Sequence, residues 1–411
     1  MNRKRCLKLD YTKDFACDGT YCDACCCREW SITVDKAAEA KYSCLKDKYW
    51  KKEIRKNIIR ISGKQERVFK LQPDLRCSFL DKDKLCRIQK NLGEGYLTDI
   101  CAVYPRQYAA IGEFVCESLN LSCPVVGRML MDRDKKIALI KATDEIKRPN
   151  CIQCAQIDKI SDTVWYRLQS AGIEILQNRD LTIRQRLTNV LYFCEALQQL
   201  FADADGSMDA ASLADMCMQD DSQKELGLAA NHIKQMPNRF IKDYFTLYDN
   251  FMRKHEHELN VQYKPYRQWL LNYYKLSGEP TVGELVVLYE RAEKAYNKYI
   301  VQRYPLFREN WLVNQWFAMR MPGVLEKRLA ANCKLYVMCF RWLEMMLMVL
   351  AIHLQDKLTK RDIIDCISYI SRFWEHEKVV AVICDDYIRD NNYELPDFMK
   401  IWLPNEMEAD W

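Results

Sequence analysis

The sequence predicts a mainly α protein: a small cysteine-rich α+β domain with short hairpins, followed by a larger helical domain. Two observations carry this expectation. Fourteen of the twenty cysteines fall within the first 154 residues, in a stretch broken by turn signals at Asp18-Gly19, Pro73-Asp74, Ile111-Gly112 and Cys123-Pro124. Beyond about residue 160 glycine becomes scarce, and apolar residues recur every three to four positions. The expected division is 1–130 as a cysteine-rich metal or iron–sulfur domain, 131–160 as a connecting segment and 161–411 as a helical domain.

In the first part, residues 68–71, 77–80 and 84–88 read as short strands. The last two are joined across the polar turn Asp81-Lys82-Asp83-Lys84 as in a hairpin. Residues 107–111 and 114–118 read as a second hairpin around Gly112. Cys22 and Cys26 are four apart, so a helical turn would place them on one face and leave Cys27 about 100° away. In the second part, periodic runs predict helices over 163–176, 182–201, 281–301, 330–354 and 361–376, with prolines between or before them.

A chain of 411 residues with 49% hydrophobic content has ample material for a core. The formal net charge is only +5, with acids and bases interspersed, which argues against nucleic acid as a partner. The most apolar run, 345–352, falls short of the roughly 20 residues needed to span a bilayer, so it reads as a buried helix and no membrane partner is expected. The first ten residues hold no apolar run long enough for a signal peptide, so a cytoplasmic location is expected.

That compartment argues against a disulfide framework, which belongs to small secreted domains. The single cysteines Cys194, Cys217, Cys333, Cys339, Cys366 and Cys384 read as buried core thiols. Cys25-Cys26-Cys27 cannot all face one core. No histidine precedes His232, so a metal site in the first part would be all-thiolate. Eight candidates stand out: Cys17, Cys22, Cys26, Cys27, Cys77, Cys86, Cys101 and Cys123. Soft thiolates suit an iron–sulfur cluster or zinc, and spacing alone does not separate the two. The pair Cys151–Cys154 has zinc-like spacing but needs a partner pair. A glycine-rich dinucleotide loop and a P-loop are both absent. The C-x3-C-x2-C spacing of radical enzymes fails at Glu29.

The run Phe15-x-Cys17-x-Gly19-x-x-Cys22-x-x-x-Cys26-Cys27-x-x-Trp30 resembles the opening of the bacterial flagellin lysine N-methylases. The likeness continues at Cys77-x-Phe79-Leu80, Cys86-x-Ile88, Cys101-x-x-Tyr104-Pro105-Arg106 and Leu121-Ser122-Cys123-Pro124. Fainter echoes follow at Gln177-x-Arg179, Arg186-Leu187, Glu309-Asn310-x-Leu312-x-Asn314 and Ser371-Arg372. A looser similarity links the cysteines to small cysteine-cluster domains described as zinc- or iron-chelating. Cys25 is an extra thiol within the family's spacing.

The resemblance implies methyl transfer from S-adenosylmethionine to flagellin lysines, with a [4Fe–4S] cluster at the site. The rival readings are a zinc- or cluster-stabilised helical interaction module without catalysis, and an iron–sulfur redox or maturation protein. Trp30 could shield a cluster or pack against the donor, or simply fill core. Arg106 could bind a carboxylate of the cofactor or make an ordinary ion pair. Arg372 and His376, four apart on a predicted helix, would face one way. The acids form no constellation that singles out a general base.

Overall fold

One buried strand, paired on both of its edges, organises the N-terminal part. The computed structural model describes residues 3–22, 25–61, 66–154, 161–202, 209–255, 264–323, 328–375 and 379–405. Its strands are β1 (Arg3–Leu9), β2 (Ile58–Arg60), β3 (Arg67–Phe69), β4 (Arg106–Ile111), β5 (Phe114–Leu119), β6 (Leu139–Glu145) and β7 (Ile152–Cys154). Five of them form a mixed sheet in the order β6-β1-β5-β4-β7, with β5 at its centre, while β2 and β3 pair separately. β1 runs parallel to β5 and antiparallel to β6; β4 is antiparallel to β5 and parallel to β7. The two-residue period of β1 and β5 sends Leu7, Leu9, Phe114 and Cys116 into the main core, while Cys6 and Val115 face a small cluster on the other side.

Five short helices accompany these strands: α1 (Lys36–Ser43), α2 (Lys48–Lys56), α3 (Arg87–Leu92), α4 (Asp99–Val103) and α5 (Pro124–Met131). The chain then turns helical through α6 (Asp162–Leu176), α7 (Ile183–Ala202), α8 (Ala210–Cys217), α9 (Asp220–Asn231), α10 (Pro237–His255) and α11 (Lys264–Tyr273). It ends with α12 (Val282–Tyr296), α13 (Phe307–Ala318), α14 (Leu329–Leu354), α15 (Lys360–Glu375), α16 (Val379–Asn391) and α17 (Leu395–Trp402). The mainly α class with a few N-terminal strands is as the sequence predicts.

The 107–118 hairpin forms as expected. Gly112 takes φ +53° at its turn, and a side chain there would collide with the Asp162 carboxylate, which accepts the Glu113 amide at 2.5 Å. The hairpin expected over 77–88 does not form. Its turn is present, with Asp81 accepting amides from Asp83 and Leu85 at 2.9 Å each, but only a single bridge joins Leu80 to Cys86. After Cys86 the chain enters α3 instead of a second strand. Cys25–Cys27 forms a 3-10 turn; the stretch between Cys22 and Cys26, where a helical turn would align the two, includes residues 23 and 24, outside the described residues. Residues 131–160, expected as a connection, supply both edge strands of the sheet, β6 and β7.

The expected helices match α6, α7, α12, α14 and α15 within a few residues; α12 continues as a π-helical turn, Asn297–Val301. The apolar helix α14 is long enough to cross a membrane, yet 89% of its most apolar window is buried among its neighbours, as in a core helix. The methionines at 345–348 are core, and all six single cysteines of this part are buried. One core runs from the sheet through this bundle, and a smaller one forms under α1 and α2.

Polar braces fix the sheet to the bundle. Gln177 exchanges hydrogen bonds with the backbone of Ile137 (2.6 and 2.9 Å), Asn310 donates to the carbonyls of Leu130 and Arg133 (3.0 Å each), and Tyr11 donates to Asn314. Glu309, only 2% exposed, receives Arg179 at 2.8 Å and Arg186 at 2.8 Å. Breaking a buried ion pair by removing one partner leaves an uncompensated charge, costing about 3–5 kcal/mol. Glu309→Ala should therefore lower the unfolding free energy by about that much. Arg179→Ala, removing the half-exposed partner, should cost about 1 kcal/mol or less. Urea denaturation of both variants checks the ordering.

Candidate functional site

The eight thiols singled out in the sequence come from six separate segments, and the fold brings them into one neighbourhood. Cys26 is its hub: its charge bears on Cys17, Cys27, Cys77, Cys86, Cys101 and Cys123, and Cys22 bears on Cys17, Cys26 and Cys123. The 3-10 turn carrying Cys26 and Cys27 is stitched to the next segment by the Cys77 amide, which donates to the Cys27 carbonyl at 2.8 Å. The Glu29 amide donates to Leu75 at 2.7 Å, with Glu29 itself in the left-handed region. Cys101 rides on α4, whose N-cap Thr98 side chain accepts the Cys101 amide. Cys86 and Cys123 occupy the N-cap positions of α3 and α5, and Pro124 fits the first position of α5 because its missing N–H is not needed there.

Those positions matter electrostatically. The amides of Ile88 and Gln89 favour the Cys86 thiolate, and those of Val125 and Val126 favour the Cys123 thiolate, without closing a cap hydrogen bond. Burial outweighs them. It pushes Cys17 and Cys77 up to about 11 and Cys123 up to about 12, and raises Cys86 and Cys101 as well. Cys26 moves down, because its sulfur shares a hydrogen bond with Cys27 at 3.8 Å and the Arg372 guanidinium lies near; the same contact drives Cys27 well up. Cys26 and Cys27, expected on different faces of a helix, are thus sulfur to sulfur.

Among the described residues, no three Cys, His, Asp or Glu side chains converge as a formed metal site. The donor set nonetheless suits a thiophilic metal: eight thiols, amides favouring thiolate at four of them, and no imidazole in this part of the chain. Cys151 lies apart, with Asp99, Asp35 and Arg148 as its charged surroundings, and the Cys154 side chain falls outside the described residues. So does His376.

Arginines hold the thiol segments against the helical half. Arg106, on β4, donates to Glu117 and to the Phe15 carbonyl at 3.2 Å each, and lies 5.0 Å over the Phe15 ring. Its guanidinium is thus spent on an ion pair and on the Cys17 loop. Arg128 of α5 reaches Asp18 with both terminal nitrogens at 3.3 Å, and Arg361 of α15 donates to the Tyr21 carbonyl. Tyr21 is sandwiched between these two guanidiniums, at 4.1 and 4.7 Å. Trp30 faces Arg372, 5.5 Å from its ring, and Arg372 pairs with Glu29 at 3.8 Å.

Sequence reasoning missed Arg128, Arg361 and Glu375. Glu375 accepts the amides of Leu121 (2.7 Å) and Ser122 (3.0 Å), the residues leading into Cys123. Burial raises its carboxyl to about 7 against the opposing pull of those amides. A signal existed: Arg361, Ser368, Arg372 and Glu375 recur at i, i+7, i+11 and i+14, a polar stripe on a helix otherwise rich in isoleucine. In the fold that stripe meets the thiol segments, with Ser368 donating to the Ser122 carbonyl at 2.6 Å.

The sequence pattern of the FliB lysine N-methylase C-terminal domain matches residues 169–402, more than half of the chain and all of α15. The chain belongs to the FliB lysine N-methylase family. The flagellar biosynthetic protein FliU of Salmonella muenchen is 37% identical over 128 residues, 30% of this chain and 76% of that protein. The lysine-N-methylase of Salmonella choleraesuis (strain SC-B67) is 36% identical over 128 residues, 30% of this chain and 32% of its own length. That of Salmonella typhimurium (strain LT2) is 37% identical over 124 residues, with 29% and 31% covered. The match thus spans about a third of either lysine-N-methylase. No solved structure matches the chain.

The Glu375 carboxyl yields a pH prediction. Its folded pKa of about 7 lies above the ordinary 4.5, so the folded state binds the proton more tightly than the unfolded one. Stability is full below pH 4.5 and falls as pH rises toward 7. Relative to Glu375→Gln, which does not titrate, the native chain should lose up to about 3 kcal/mol between pH 4 and pH 8. Denaturation of both proteins across that range measures it.

Proposed function

We propose that the protein transfers methyl groups from S-adenosylmethionine to lysine side chains of flagellin, with an iron–sulfur cluster held by four or fewer of the eight gathered thiols. The observation that carries this reading is the shared neighbourhood of those thiols around Cys26, with Cys26 and the approach to Cys123 against the α15 stripe, inside a chain whose family is named for lysine methylation. Relatives named for flagellar biosynthesis and lysine methylation support flagellin as the substrate.

A lysine amine titrates near 10.4 and only its neutral form attacks a methyl carbon, so the site must take up a proton. Glu375 suits that role, being partly buried beside Cys123 with a carboxyl that takes up a proton near neutrality. Arg106, Arg128 and Arg361 hold the Cys17–Cys22 loop in place, and Arg372 offsets the charge that thiolates bring. A cluster held by thiols of this set would supply a Lewis-acidic position for the donor's amino and carboxylate groups.

One observation favours the second reading. Two thiolates on one tetrahedral zinc with bonds of about 2.3 Å sit about 3.8 Å apart, the spacing of Cys26 and Cys27. In that reading zinc organises an interaction module without catalysis.

Metal and sulfide analysis of anaerobically purified protein separates them. About four irons and four sulfides per chain with broad visible absorbance fit the first reading; a colourless protein with stoichiometric zinc overturns it. Cys26→Ser and Cys27→Ser should each lose metal, while Cys194→Ser and Cys384→Ser, far from the thiol group in the bundle core, should keep it. With the cluster intact, radiolabelled methyl transfer to purified flagellin is the expected outcome. An isotherm with no S-adenosylmethionine affinity would sink the methyltransferase reading.

A further inference from the structure

One helix carries a stripe of charge that no described residue pairs. Between Lys46 and Arg60 seven Lys and Arg stand against two Asp and Glu, and this local excess of five equals the formal net charge of the whole chain, +5. Outside these fifteen residues the chain is therefore neutral overall. The excess is also ordered. Lys48, Lys51, Lys52, Arg55 and Lys56 occupy positions i, i+3, i+4, i+7 and i+8 of α2, a single stripe along one face, and all five are exposed.

The opposite face fixes the helix. Trp50 and Ile54 are buried in the smaller core, and Arg87 lies 5.4 Å over Trp50. The acids of the segment are already engaged: Asp47 caps α2 by accepting the Tyr49 and Trp50 amides, and Glu53 receives Arg87 at 3.2 Å. Among the described residues none of the five stripe cations makes an ion pair or a side-chain hydrogen bond. Folding does not explain the arrangement. Like charges at i, i+4 repel, and Lys48 and Lys51 sit in the first turn, where the helix dipole disfavours cations. Only Arg55 and Lys56, in the last turn, gain from it.

We propose that this stripe is a docking surface for an acidic polypeptide segment, a partner helix carrying carboxylates at matching i, i+4 spacing. The stripe spans about 12 Å along the axis, eight residues at about 1.5 Å each, or a little over two turns of such a helix. Insertion into a membrane is disfavoured because the apolar residues of α2 point inward, whereas an interfacial helix exposes them. Nucleic acid is disfavoured because the formal net charge of the whole chain is only +5. The only large aromatic exposed on α2, Tyr49, is 60% exposed, with its hydroxyl receiving Arg87 at 3.0 Å. The proposal does not depend on the methyltransferase reading.

The test is fluorescence anisotropy of the full chain with a labelled helical peptide bearing glutamates at i, i+4. Three proteins are compared: wild type, Lys51→Glu/Lys52→Glu/Arg55→Glu, and a control reversed at the exposed pair Lys135→Glu/Lys136→Glu. Circular dichroism confirms that each is folded. Wild type and control should bind the peptide, the triple variant at least about tenfold more weakly, and wild-type affinity should fall as salt rises from about 50 to about 300 mM. Equal binding by wild type and triple variant overturns the proposal. So does equal loss in the control, or tighter wild-type binding to a single-stranded RNA oligonucleotide or to phosphatidylserine vesicles than to the peptide.

Discussion

The packing of the chain depends on α13, a helix buried on nearly all sides that carries a charge and two amides into the core. Glu309, Asn310 and Asn314 lie at i, i+1 and i+5, and each is buried. Burying a carboxylate is expensive unless its partners are in place. Arg186 and Arg179 reach Glu309 from α7 and from the turn before it, so the α6–α7 corner has one acceptable position against α13. Asn310 and Asn314 do the same toward α5 and the turn that follows β1. Hydrophobic contact would tolerate sliding between these elements; paired polar groups do not. The small sheet and the bundle therefore share one core and one register.

That register decides where the thiols meet. Cys27, Cys77, Cys86 and Cys101 belong to the smaller core, while Cys123 belongs to the main one. Cys17 and Cys22 lie on a loop held by Arg128 of α5 and tied to the helical half through Arg361. The neighbourhood is a seam between two cores, closed on one side by α15. A ligand shared by thiols from both sides would tie the cores together, and a rigid seam is what a site built from six segments requires.

Sequence reading succeeded where a signal was local. The 3.6-residue period of the helical half found α6, α7, α12 and α15, and the length of its apolar run found α14, which is buried all round. Gly112 marked its hairpin because no other residue fits there. The cysteines were legible as a set because their number exceeds what any core needs. Where two local signals competed, the reading failed. Residues 84–88 alternate like a strand, but Cys86 stands at a helix N-terminus, and α3 won. The edge strands β6 and β7 were missed because their partners β1 and β4 lie far away in sequence. The same distance hid the arginine clamp and Glu375, which meet residues 91 to 340 positions away.

The charge balance at the seam joins these points. Desolvation opposes ionisation, and the buried Cys77 and Cys123, the half-buried Cys86 and Cys101 and even the exposed Cys17 all titrate above the ordinary range. A metal held by these thiols would have to displace those protons, and whatever favours thiolate would lower that cost. The chain supplies that help in two forms. Backbone amides at the starts of α3 and α5 act on single sulfurs, and Arg372, 3% exposed on α15, acts on the hub sulfur of Cys26. A guanidinium stays charged at any ordinary pH, and at so buried a position its field is weakly screened. Cys26 is pulled down, by its contact with Cys27 first and by this field second. The helical half, through one arginine on α15, thus bears on the chemistry of sulfurs that belong to the other core.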